Sequence, residues 1–156
     1  MNKQIQKKTA DKSSKKNSSE QREVSKDTNF EDKLKKLCRG LIYISETDAE
    51  IFPFIGEVCQ EVSADTLLFQ IESYTDPIIE ENNFGDFFSN LIIKRDWFDR
   101  ERLKMTENFA ELKKLLEENL CDLKVFKLGE IEIDIFVVGL DHDKRLTGIK
   151  TKAVET

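Results

Sequence analysis

"VFKLGEIEIDIFVVG", Val125 to Gly139, decides the fold. From Glu130 onward its residues alternate: Ile131, Ile133, Ile135 and Val137 fall on one side and Glu130, Glu132 and Asp134 on the other, the two-residue period of a strand. Gly129 is placed for a tight turn after a preceding strand, and the polar "DHDKR" over 141–145 for the turn into a following one. That last segment, "GIKTKAVET" from Gly148 to Thr156, alternates again, with Ile149, Thr151, Ala153 and Glu155 against Lys150, Lys152, Val154 and Thr156. The final third therefore reads as a three-strand antiparallel meander whose last strand is expected to hold order up to Thr156, where chains usually fray.

Upstream of the meander the period changes to that of a helix. Met105, Phe109, Leu112, Leu116 and Leu120 recur at spacings of three and four, predicting a long amphipathic helix capped by Asp96. "NNFGDFFSNLI" predicts a short helix with Phe84, Phe87, Phe88 and Leu91 directed inward. Near the start of order, Asn29 is placed to cap a helix carrying Phe30, Leu34, Leu37, Cys38 and Leu41, which Gly40 ends. "LIYIS" (41–45) reads as a buried strand and "TLLFQIES" (66–73) as another, with "ETDAEIFPFIGE" (46–57) as an ordered loop between them. The class is α+β, a sheet with helices packed on it, and no internal repeat is visible.

The 156 residues, 38% of them apolar and eleven of them Phe, are enough for one domain with a sizeable core. Charge is divided unevenly. Residues 1–28 hold eight Lys/Arg and four Asp/Glu, a balance of +4, so a whole-chain charge of −6 leaves −10 for the rest. That first stretch has almost no aliphatic residues and is expected to be a disordered lysine-rich tail, with the folded domain at 29–156. An acidic domain repels nucleic acid and favours a basic protein partner. With no apolar run of membrane-spanning length and no apolar leader, the chain is expected to be soluble and cytoplasmic. Cys38, Cys59 and Cys121 follow no metal-ligand spacing and read as reduced core thiols.

Little here carries chemistry. His142 is the single histidine and sits in a polar turn, so a Ser or Cys nucleophile would lack a base and a metal would lack converging ligands. No glycine-rich phosphate loop follows a strand. Glu130, Glu132 and Asp134, about two residues apart on one strand face, could hold a divalent cation, though any sheet with one wet face gives the same alternation. Glu46, Asp48 and Glu50 stand on a loop after a strand, where proteins present binding groups. Trp97, in "KRDWFDRE", reads either as a core anchor or, if exposed, as an interface hot spot.

In their order and spacing, "GLIYISETDAE" (40–50), "DWFDRE" (96–101), "LGEIEIDIFVVG" (128–139) and "LTGIKTKAVET" (146–156) resemble the nuclease A inhibitor family, small proteins that silence sugar-non-specific nucleases of the ββα-metal type. The resemblance covers about Asn29 to Thr156. It implies a three-layer α/β/α sandwich with a mixed sheet ending in the antiparallel meander. It also implies a 1:1 complex with a nuclease in which the family's C-terminal residue, matched here by Thr156, brings oxygen atoms to the catalytic Mg or Mn. That metal belongs to the partner, and no cofactor of the inhibitor's own is implied. By the same resemblance Glu46 approaches the nuclease's catalytic centre, Glu155 accompanies Thr156, and Asp96 and Trp97 form a further contact. Arg95 departs from the pattern, standing where an uncharged amide is expected.

The expectation is therefore a non-enzymatic, cytoplasmic nuclease inhibitor, monomeric when free, with no membrane contact and no direct binding of nucleic acid by the folded domain. Two rivals predict different behaviour. A metal-dependent hydrolase built on Glu130, Glu132 and Asp134 would bind metal alone and turn over a substrate, and a binding module of the same fold would leave every ββα-metal nuclease untouched.

Overall fold

The computed structural model describes residues 29–72 and 78–156. The expected lysine-rich tail, 1–28, lies outside them, as does the end of "TLLFQIES" at Ser73. In chain order the elements begin with helix α1 (29–38), strands β1 (Ile42–Ile44), β2 (Asp48–Glu50) and β3 (Phe52–Val58), and helix α2 (Ala64–Ile71). Strand β4 (Ile79–Asn82) and helices α3 (Phe84–Leu91) and α4 (Arg100–Asn119) follow, then strands β5 (Cys121–Leu128), β6 (Glu132–Leu140) and β7 (Arg145–Val154). Residues Leu34–Thr156 form one compact unit; of the other, only the first turn of α1, at 29–33, is described.

The predicted meander is the middle of a five-stranded sheet in the order β3-β7-β6-β5-β4. Every pairing among the described strands is antiparallel, so the class is α+β as expected while the mixed sheet is replaced by an antiparallel one. The β6–β7 register runs unbroken from Glu132↔Val154 to Leu140↔Leu146. A slip of one residue would turn every buried side chain to the wrong face, so the alternation of β6 fixes this pairing. Gly148 permits it: a Cβ there would run into the backbone carbonyl of Val137.

Both faces of the central strands are buried. On one face Phe126, Leu128, Phe136, Val138 and Leu146 form a cluster with Leu67 of α2 and with Val62. Val125, Ile133, Ile135, Val137 and Ile149 are equally buried on the opposite face. Fully burying side chains of this size contributes about 1.5–3 kcal/mol each. Helix α3 packs against β5 and α4, and α4 buries Phe109, Leu112 and Leu116 of the predicted stripe, while Met105 is half-buried and Leu120 follows the helix as its C-cap. Ile131, expected to join the inward row, is 56% exposed because it lies in the β5–β6 turn, before the strand begins.

Several local expectations are corrected. "TLLFQIES" contributes to helix α2 rather than to a strand: the Ser63 hydroxyl caps it by accepting from the Thr66 amide at 3.1 Å, and the apolar run turns Leu67 inward while leaving Phe69 exposed. "ETDAEIFPFIGE" contains β2 and most of β3; Pro53 is tolerated because β3 is an edge strand. "LIYIS" is a strand, but a short one in a separate two-stranded sheet with β2, and Ile44 is exposed. Asp99, not Asp96, caps α4, accepting from the Arg102 amide at 2.8 Å, while Asp96 lies in the turn before it. The three cysteines are free, but only Cys38 is a buried thiol; Cys59 is half-buried and Cys121 exposed.

Candidate functional site

Two other segments are hydrogen-bonded to the end of β7. The first is the three-residue turn between β1 and β2, Ser45 to Thr47. The Ser45 amide and hydroxyl both donate to the Thr47 carbonyl, at 2.9 and 3.0 Å, closing the turn. The same hydroxyl accepts from the Val154 amide at 3.1 Å, and the Glu46 amide donates to the Val154 carbonyl. The second is the β5–β6 turn, where the Ile131 carbonyl accepts from the Glu155 amide at 3.0 Å. Further back along β7, the Thr151 hydroxyl donates to the Glu50 carbonyl at 2.8 Å, fastening β2 to the same strand.

Two of the expected site residues meet at this tip. The Thr156 amide donates to Oε2 of Glu46 at 2.7 Å, and the Thr156 hydroxyl lies 2.9 Å from both carboxylate oxygens. Those donors, the backbone amide foremost and then the hydroxyl, hold the Glu46 carboxyl below the usual glutamate range. Both side chains remain exposed, so the arrangement is ordered yet open to a partner. Glu155 turns elsewhere: its carboxylate lies 3.6 Å from the Lys127 ammonium, and the phenol of Tyr43 is pushed up by burial and then by the Glu155 charge.

Asp96 and Trp97 are on a different element, the loop between α3 and α4. Trp97 is 76% exposed, which decides against the core reading. The Arg95 guanidinium stands 5.7 Å from its ring centroid and the Phe98 ring packs edge-on against it, so the departure from an amide at position 95 gives the indole a cationic neighbour. This loop adjoins the tip through β1: a groove of about 210 Å³ is lined by Ile42, Tyr43 and Ile44 together with Ile93, Phe98 and Arg102.

Elsewhere the structure gathers less. A larger hollow of about 960 Å³ opens over β7, where Lys150 and Lys152 are offset by Glu50 and Asp134, so its charge selects no particular ligand. Asp134 is the register partner of Lys152, and Glu132 that of Val154, with Glu130 in the turn before β6. Among the described residues no group of three or more His, Cys, Asp or Glu is placed to hold a metal ion. His142 is exposed in the β6–β7 turn. Among the same residues no helix is long and apolar enough to cross a membrane.

The family model described as nuclease A inhibitor-like protein matches residues 28–156, which takes in the whole tip and the Trp97 loop. The chain belongs to the nuclease A inhibitor-like family. No curated protein matches it. Membership points to an inhibitor acting on a nuclease rather than to an enzyme.

Sequence reasoning found the residues of the tip but missed Ser45, the residue that ties the two segments together. The signal was present in "SET", a hydroxyl residue next to an acid in a hairpin turn, yet its partner is 109 positions away and no local pattern points to it.

Proposed function

We propose that this nuclease A inhibitor-like protein blocks a metal-dependent, sugar-non-specific nuclease of the ββα-metal type by placing its tip in the active site. Thr156 brings oxygen atoms to the catalytic Mg or Mn of the nuclease, Glu46 supplies negative charge where the scissile phosphate would lie, and Trp97 anchors the edge of the contact. Oxygen donors of this kind suit both metals. The observation that carries the reading is the clamp of Thr156 on Glu46: a metal-seeking residue already ordered loses little entropy on binding. The −10 charge of residues 29–156 supports it, since an acidic protein is drawn to a cleft built for a polynucleotide. The complex is 1:1, the inhibitor is a monomer when free, and it acts in the cytoplasm on a nuclease made by the same cell.

The test is a DNA-degradation assay with a ββα-metal nuclease from the same cell, titrated with the intact protein and with a chain ending at Val154. Stoichiometric inhibition by the first, weakened at least about 100-fold in the second, is expected for an interface whose energy sits in a few residues. Equal potency of the two chains would refute the plug mechanism, and no inhibition by the intact, folded protein would leave the family fold with another partner.

A further inference from the structure

The hydroxyl of Ser45 has one hydrogen to donate and two lone pairs to accept with, and the structure uses all three. It donates to the Thr47 carbonyl at 3.0 Å and accepts from the Thr47 and Val154 amides at 3.4 and 3.1 Å. Two of these bonds close the turn that carries Glu46; the third fastens that turn to the end of β7, two residues before Thr156. The Glu46 amide adds a long bond of 3.4 Å to the Val154 carbonyl. No other side chain among the described residues is hydrogen-bonded to both segments at this point, apart from the Glu46–Thr156 pair that they position.

Ser45 therefore bears on what Thr156 can do. A threonine hydroxyl can meet a partner as a donor or as an acceptor. Here its single hydrogen faces the carboxylate of Glu46, so what remains exposed is the lone pairs. A cation approaching the tip meets an oxygen already turned to receive it. The hydrogen bond from that hydroxyl to a carboxylate also raises the oxygen's basicity, as carboxylates behind metal ligands do.

We propose that Ser45 is a positioning residue of the inhibitor: by keying the β1–β2 turn to the end of β7 it sets Glu46 beneath Thr156 and thereby orients the Thr156 hydroxyl as an acceptor for a divalent cation. This rests on the proposed inhibitory role for its use of the cation, but the positioning itself is a property of the free protein and is testable there. Nothing in it requires Ser45 to touch the partner.

The experiment compares the full chain with Ser45→Ala and Ser45→Thr, each read in four ways. NMR follows the through-space contacts between the Glu46 and Thr156 side chains, hydrogen exchange follows the Thr156 amide, and inhibition of a ββα-metal nuclease in Mg is titrated alongside a thermal melt. In Ser45→Ala the Glu46–Thr156 contacts are expected to weaken, and Thr156 amide protection to fall. Inhibition should weaken about tenfold, the size of one hydrogen bond of about 1.4 kcal/mol. Ser45→Thr, which keeps the hydroxyl, is expected to restore all three. A merely structural role would lower the melting temperature without loosening the Glu46–Thr156 contacts. Unchanged Glu46–Thr156 contacts and Thr156 exchange in Ser45→Ala would overturn the inference. If both shift as expected but the wild-type protein inhibits no nuclease, the positioning stands and the proposed function fails.

Discussion

Strand β7 has a carboxylate in charge of each end, and the two are used in opposite ways. At its start, Asp141 is buried and spends its acceptor capacity within its own hairpin. It accepts from the Asp143 and Arg145 amides and the Arg145 Nε, each at 2.9 Å, and from the Thr147 hydroxyl at 3.2 Å. At its finish, Glu46 is exposed, and its carboxylate hydrogen bonds go to a residue 110 positions away. A buried carboxylate whose partners are all within six residues serves the fold of the turn. An exposed one that holds a distant residue in place, while both stay open to solvent, presents a surface.

The comparison breaks most readily at Asp141. Asp141→Ala removes an ion-pair partner of Arg145 and strands two amides, and is expected to destabilise the protein by about 3 kcal/mol in denaturant unfolding. Its nuclease inhibition, measured where the variant is still folded, should be unchanged. A folded variant that no longer inhibits would erase the distinction between the two ends.

Trp97→Ala tests the other exposed element. The indole is solvent-facing in the free protein, so stability should change by less than about 0.5 kcal/mol. Affinity for the nuclease, measured by calorimetry, should fall by about 2 kcal/mol, as for an aromatic hot spot. Loss of stability without loss of affinity would return Trp97 to a structural role.

Acid sharpens the comparison further. The Glu46 carboxyl titrates below its ordinary value of 4.5, so its contacts with Thr156 favour the folded tip above that value and are lost as pH falls through the lowered one. The Thr156 amide resonance is therefore expected to stay constant from neutral pH down to the ordinary glutamate range and to move below it. A midpoint above the ordinary value would show that the clamp does not form in solution.

The smallest effect concerns the thiols. Burial pushes Cys38 up to about 12, whereas Cys121 is exposed. A thiol reagent at neutral pH should modify Cys121 first and Cys38 only on unfolding, with no change in inhibition. Rapid labelling of Cys38 in the native protein would show that α1 opens far more easily than the sheet.

Legibility followed the distance over which each feature is written. The β5–β7 meander and α4 were readable because their periods are carried by adjacent residues and confirmed by burial of Ile133, Ile135 and Val137 and of Phe109, Leu112 and Leu116. Helix α2 was misread because a short apolar run has no decisive period, and its signal was a single capping serine, Ser63. Strand β3 was hidden by Pro53, which argues against a strand until its place at the sheet edge is known, and the three-residue β2 by its acids Asp48 and Glu50.

By itself the sequence determined which groups are available: an acidic domain, the oxygen-bearing side chains of Glu155 and Thr156, and a lone tryptophan two residues after Arg95. Tertiary structure alone decided that Trp97 faces solvent, that Glu155 is drawn to Lys127, and that Ser45 and Glu46 close over the end of β7. The reason is that side-chain periodicity depends on neighbours in the chain, whereas the meeting of positions 45 and 154 depends on how the β1–β2 hairpin lies against β7, which no local pattern encodes.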